Sequence, residues 1–198
     1  MRVLLHICCG PCLLEPFDAL AADHEVELVY ANPNIHPADE YHHRLDTLLS
    51  HARATGIPVT EIPYEPDVWD EAVSGLEDDP TARCEACFEL RLTMAARHAA
   101  AEGFDAIATT LTVSPYQDAA AIQRAGEAAA AEAGITYLHR DFTDRYPQAT
   151  RRSRELGMYR QNYCGCRYSA IEAQRQREER RAAKRREAAL LPESTGKA

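Results

Sequence analysis

Seven cysteines carry most of the chemistry that this sequence can offer: Cys8, Cys9, Cys12, Cys84, Cys87, Cys164 and Cys166. They fall into three tight clusters and occur nowhere else. The opening MRVLLHICCG is too short, and too soon interrupted by His6 and cysteines, to serve as a secretory leader. A cytoplasmic protein is therefore expected, and clustered cysteines in a reducing compartment point to metal ligands or redox thiols rather than a static disulfide framework. Cys84-x-x-Cys87 is expected to open a helix, where two thiolates a turn apart can bind one centre, as in both zinc and iron–sulfur sites. Cys8 and Cys9 stand at a strand-to-loop bend that can turn both sulfurs the same way. Structural zinc more often takes two spaced CxxC knuckles. Cys8, Cys9, Cys84 and Cys87 together supply four thiolates, enough for one [4Fe–4S] cluster. On spacing alone, zinc and free thiols remain open. Cys12 is left outside this ligand set: it reads either as a small buried hydrophobe, the commoner fate of a lone cysteine, or as a spare ligand.

Cys164-Gly165-Cys166 is a different arrangement. In an extended segment, residues i and i+2 share a side with Cα atoms ~6.6 Å apart, at the long end of disulfide reach. A bridge there would be strained and easily reduced. A redox-active dithiol is the expected role, with a pair of metal ligands as the competing one.

Several polar residues could serve a substrate. Asn32, Asn34 and His36 lie in the turn NPNIHP, where substrate orientation and plain turn chemistry are both credible. Ser114, Tyr116 and Gln117 could contact a ligand, or Ser114–Pro115 could simply start a helix. His6 ends a strand and reads as a hydrogen-bonded core histidine, and His42 and His43 as helix-surface residues. Arg151, Arg152, Arg154 and Arg160 form a phosphate-contact set, since Arg forks match phosphate oxygens. There is no GxGxxG or GxxxxGK[ST] loop, nor the SGGxDS loop of ATP-dependent tRNA-thiolating enzymes. With no flavin or nicotinamide site evident, a redox role needs an external electron donor.

These residues have to be placed by the elements around them. Strands are expected at Arg2–Ile7, Glu25–Ala31, Ile57–Ile62, Asp105–Leu111 and Ile135–Leu138. Helices are expected at Leu13–Ala22, Ala38–Thr55, Pro66–Ser74, Cys84–Ala101, Asp118–Ala133, Thr150–Gly157 and Tyr168–Leu190. Strands separated by helices imply parallel pairing, hence a single α/β, Rossmann-like three-layer domain with a mostly parallel sheet. Such sheets place their sites outside the carboxyl ends of the strands. CCGPC, NPNIHP and SPYQ each follow an expected strand, so all three loops belong at one edge.

With 198 residues and 45% hydrophobic content, the chain can bury an ample core. No apolar run approaches the ~18 residues needed to cross a bilayer. The net charge of −9 conceals an asymmetry: Arg151 to Arg186 holds twelve Arg/Lys against four Asp/Glu, a balance of +8 that leaves −17 elsewhere. A basic C-terminal third suggests a polyanionic partner, although a solvated, salt-bridged helix explains it as well. The catalytic domain is expected over 1–169, and an Arg-rich helix with a frayed tail over 170–198.

Five blocks, LLHICCGPC, NPNIHPADEYHHR, RCEACFELRL, TTLTVSPYQ and YRQNYCGCRYS, run in order from Leu4 to Ser169. Together they resemble the signature of QueH-type epoxyqueuosine reductases, whose fold is similar to adenine-nucleotide alpha-hydrolase-like folds. The resemblance implies reduction of epoxyqueuosine to queuosine at the wobble position of tRNA. It also implies a [4Fe–4S] cluster on Cys8, Cys9, Cys84 and Cys87, with a second metal (a mononuclear iron) or a dithiol close by. Cys164 and Cys166 match the redox pair. The partners implied are tRNA carrying epoxyqueuosine in its anticodon loop and an external electron donor, with no membrane. Such a loop base is unpaired and can be splayed into a pocket, where Tyr116, Tyr159 or Tyr163 could stack on it. A zinc-stabilised RNA-binding module and a thiol-dependent tRNA-thiolation protein are the alternatives from other classes.

Overall fold

The computed structural model describes residues 1–190, with side chains through Arg186. Five strands, β1 (Arg2–His6), β2 (Glu25–Tyr30), β3 (Val59–Glu61), β4 (Ala106–Thr109) and β5 (Thr136–Tyr137), form one sheet in the order β3-β2-β1-β4-β5. Every pairing is parallel, as the alternation of strands and helices leads one to expect. The central strand β1 is buried on both faces, so it reads as a continuous apolar run.

Its side chains alternate between two cores. Val3, Leu5 and Ile7 join one cluster with Leu13 and Leu20 of α1 (Gly10–Ala21) and with Tyr41, Leu45 and Leu48 of α2 (Ala38–Thr55). Leu4 joins the other with Phe88, Leu92 and Ala95 of α4 (Pro80–Ala101) and Ile122 and Ala125 of α5 (Ala119–Ala133). The result is three layers, helix–sheet–helix. Alanines line both sides of the α4–α5 contact, which lets the two helices approach closely. The remaining helices are α3 (Pro66–Ala72), α6 (Tyr146–Glu155) and α7 (Arg167–Leu190).

Three helices begin three or four residues earlier than the expected ranges, and one of them is α6, at Tyr146 rather than Thr150. α4 starts at Pro80 rather than Cys84, because Asp79 caps it by accepting from the Thr81 and Ala82 amides and Pro80 fits the first turn. Cys84 and Cys87 therefore lie within the helix, not at its opening. α1 starts at Gly10 rather than Leu13, with Pro11 in its first turn, so Cys12 is helical. β4 ends at Thr109, and Leu111–Val113 form a 3-10 turn instead of more strand.

Contacts divide the chain into two units, Met1–Arg160 and the segment from Gln161 onward. The first contains the sheet and α1 to α6. The second contains the Cys164–Cys166 loop and α7. The frayed tail expected over Leu190–Ala198 lies, from residue 191, outside the described residues. No described helix is long and apolar enough to cross a membrane.

Candidate active site

The chain passes from β1 to β2 and β3 on one side, then returns to add β4 and β5 on the other. The reversal point therefore lies between β1 and β4, where a parallel sheet opens a crevice at its carboxyl edge. Two loops flank this crevice: Ile7–Cys9 after β1, and Thr110 with its 3-10 turn after β4. They are tied directly, since the Cys8 amide donates to Thr110 Oγ1 at 3.2 Å and that hydroxyl lies 3.5 Å from Cys8 Sγ.

Helix α1 then gathers three sulfurs. Cys9 is its N-cap with extended backbone and no side-chain capping bond, so its sulfur is not engaged by the helix end. Cys12 follows one turn later. Cys9 Sγ lies 2.7 Å from Cys12 Sγ and 3.8 Å from Cys8 Sγ, and the three sulfurs are all within 4.8 Å of one another. Cys9 is buried, and Cys8 and Cys12 are half-buried. Gly10 makes this possible: a Cβ there would meet Thr47 Cγ2 of α2 at 2.9 Å.

The Cys8 and Cys12 thiols lie close enough that the protonation of one alters that of the other. Hydrogen bonds from the Cys12 and Cys9 thiols hold Cys8 well below the usual thiol range, with Arg91 and Thr110 adding and burial opposing. Cys12 is pushed well above that range by its hydrogen bonds to Cys8 and Cys9 and by burial. Arg91 is itself buried on α4. Its guanidinium donates to Asn32 Oδ1 at 2.5 Å, and Asn32 Nδ2 donates to the Ile7 carbonyl at 2.8 Å. His6 is the core histidine expected, with Nδ1 2.9 Å from Thr109 Oγ1 and Nε2 3.2 Å from the Ala31 carbonyl. Burial, with Arg91 adding, lowers its pKa to about 3. The imidazole is thus neutral, and Nε2 must be the nitrogen that donates to the carbonyl.

The profile of the family described as "Epoxyqueuosine reductase QueH" matches residues 3–172. The chain belongs to this family. Among QueH relatives, the epoxyqueuosine reductase of Streptococcus pyogenes is 35% identical over 178 residues, covering 85% of this chain and 70% of the relative. That of Haemophilus influenzae is 34% identical, covering 90% and 75%, and that of Dehalococcoides mccartyi 33%, covering 86% and 93%. A solved structure, a predicted subunit of a tRNA methyltransferase from Methanocaldococcus jannaschii, aligns with a TM-score of 0.53 at 14% identity, covering 78% of this chain and 75% of the other. At that identity the likeness concerns the fold alone.

Within this QueH chain, the cysteine sets are placed as follows. Cys8 and Cys9 converge, and they bring Cys12 with them. Cys12 is the residue that sequence reasoning left out, although Cys9-Gly10-Pro11-Cys12 is itself a CxxC and carried the signal. Cys84 is exposed and Cys87 buried on α4, outside the group within 4.8 Å. Cys164 and Cys166 belong to the second unit, where Cys164 is half-buried and Cys166 buried. The segment is not extended: Gly165 has φ 144, a conformation open to glycine, and Cys166 sits at the start of α7. There its sulfur accepts from the Ser169 amide at 3.3 Å, while the Ser169 hydroxyl donates to the Cys166 carbonyl at 2.8 Å.

The expected substrate residues divide by what already occupies them. Asn32 has both ends of its carboxamide engaged by Ile7 and Arg91. Asn34 is buried, and its Oδ1 has no hydrogen-bond partner among the described residues. His36 Nδ1 lies 3.0 Å from the Asn34 carbonyl, and its ring stands 5.5 Å from Trp69. Ser114 Oγ accepts from the Tyr116 amide and its carbonyl from the Gln117 amide, so Ser114 shapes the loop that leaves Tyr116 80% exposed. Arg152 is held by Glu15 at 2.8 Å and Asp18 at 2.7 Å, whereas Arg151 and Arg160 are exposed. His43, expected on the helix surface, stacks on Tyr159 at 4.5 Å, and the Tyr159 hydroxyl donates to Glu40 Oε2 at 2.7 Å.

Proposed function

We propose that this chain reduces epoxyqueuosine to queuosine at the wobble position of tRNA, with a [4Fe–4S] cluster held by Cys8, Cys9, Cys84 and Cys87. The observation that carries the reading is the convergence of Cys8, Cys9 and Cys12 at the sheet's reversal point in a member of the QueH family, with Cys84 and Cys87 assigned by the family resemblance. The donor set suits an iron–sulfur group: soft thiolates, a buried cation beside them, and a thiol already held below its usual range. Cys12 is the thiol left for a second, mononuclear iron. When bound, such a cluster supplies electrons one at a time.

The chain's own residues do the rest. Conversion of an epoxide to an alkene consumes two electrons and two protons and releases water. Oxidation of Cys164 and Cys166 to a disulfide supplies both pairs, and an external donor restores the dithiol. Asn34 Oδ1, buried and lacking a partner, accepts a substrate hydroxyl or amine, and Tyr116 offers an exposed ring for the flipped-out base. Arg151 and Arg160 meet the phosphates.

Anaerobic purification should give a brown protein containing iron and acid-labile sulfide, which converts epoxyqueuosine-containing tRNA to queuosine-containing tRNA when supplied with dithionite. Stoichiometric zinc, no iron and no conversion would overturn the reading.

A further inference from the structure

Arg91 is a cation enclosed by the protein with no carboxylate to answer it among the described residues. Only 2% exposed, it forms no salt bridge among the described residues. Among the described residues its one hydrogen-bonded side-chain partner is the neutral amide of Asn32, and its Nε is buried without a partner. A guanidinium does not give up its proton in a protein, and a buried charge without a counter-charge is strongly unfavourable. The geometry shows where the missing anion belongs. Through Asn32, Arg91 is two hydrogen bonds from the Ile7 carbonyl, the residue before Cys8. Along α4 it follows Cys87 by four residues, one turn on the same face. It thus adjoins both cysteine pairs assigned to the cluster.

We propose that Arg91 is the built-in counter-cation of the metal centre, and that Asn32 holds it in place without quenching its charge. The inference rests on the iron–sulfur reading of the four cysteines. Reduction adds one negative charge to a thiolate-bound cluster, and a fixed cation in a region of low dielectric stabilises the reduced state. Arg91 therefore raises the reduction potential of the centre. Asparagine at position 32 is the informative choice, because an aspartate of the same shape would neutralise the guanidinium.

The test is an anaerobic redox titration of the reconstituted protein, with iron and sulfide measured on the same samples. A wild-type protein that takes up no iron would defeat the metal-site reading itself. With iron bound, the midpoint potential should fall in Arg91→Met and stay near wild type in Arg91→Lys. Equal midpoints for Arg91→Met and wild type at equal iron content would overturn the proposal, as would an equal fall in Arg91→Lys. Loss of iron in Arg91→Met but not in Arg91→Lys supports a requirement for the charge. If both variants lose iron, Asn32→Asp decides: a lowered midpoint supports the proposal, and an unchanged one overturns it.

Discussion

At the scale of single residues, the site is built from groups whose charge state is set by their neighbours. His6 is the plainest case. Its folded pKa of about 3 lies below its ordinary value of 6.5, so on acidification the unfolded chain takes up the proton first. Its contribution to stability is complete above pH 6.5 and is lost as pH falls toward 3. In urea titrations of the metal-free protein, His6→Gln should be less stable than wild type at pH 7 but lose less stability on going to pH 4.5. Parallel slopes for the two proteins would exclude His6 as a source of the acid sensitivity. The cysteines separate by role in the same way. Cys84→Ala should strip most of the iron and sulfide, whereas Cys164→Ser should retain both and lose turnover. Full iron in Cys84→Ala would remove it from the ligand set, and iron loss in Cys164→Ser would make that residue a ligand.

At the scale of elements, the three-sulfur loop depends on how closely α1 is drawn against α2. Gly10→Ala places a Cβ 2.9 Å from Thr47 Cγ2 and 3.4 Å from the Leu48 amide nitrogen. Threonine is stiff at χ1, and one of these neighbours is backbone, so the helix start must shift. Overpacking of this kind costs about 1–3 kcal/mol. Gly10→Ala should lower stability by that order in chemical denaturation and reduce iron uptake, since Cys9 and Cys12 flank the displaced residue. Unchanged stability and iron content would show that the loop tolerates the shift. Much of this arrangement was legible beforehand: the alternation of strands and helices gives the parallel sheet, and strand-then-motif order gives the shared edge. Helix starts are less legible, because neither Cys84 nor Leu13 marks the first turn. Asp79-Pro80 and Gly10-Pro11 are the capping signals that move α4 and α1 earlier, and the second makes Cys12 part of the site. Arg91 could not be read from the sequence. A charged residue in a helix is usually solvated, and only the packing of α4 on the sheet shows it to be enclosed. Asn32 was legible as a residue near the site, but its bonds to Ile7 and Arg91 depend on the β1–β2 pairing.

At the scale of the whole molecule, an overall charge of −9 must be reconciled with a polyanionic substrate. Long-range repulsion leaves binding to local cations, and α6 shows that neighbouring arginines are not equivalent. Arg152 bonds the Leu14 carbonyl, Glu15 and Asp18. Glu15 is buried, and among the described residues its only other cation is Arg145, at 4.0 Å. Removing Arg152 strands that carboxylate. The cost should be roughly 1–3 kcal/mol, less than for a fully enclosed pair because Arg152 is 34% exposed. Arg151, one position earlier, is exposed and makes no ion pair among the described residues. Each phosphate contact steepens the fall of log affinity with log salt by roughly 0.7 to 0.9. Arg151→Ala should therefore flatten the salt dependence of tRNA binding by about that amount without altering the melting temperature. Arg152→Ala should do the reverse, lowering the melting temperature while leaving the slope nearly unchanged. Binding by filter retention or anisotropy from 50 to 200 mM salt, beside thermal melts, separates the two. A slope changed by Arg152→Ala and not by Arg151→Ala would mean that the carboxylates release Arg152 to the RNA and that Arg151 faces elsewhere. Unchanged slopes in both variants would move the phosphate contacts to the second unit, where Arg175, Arg177, Arg180 and Arg181 of α7 supply the next concentration of positive charge.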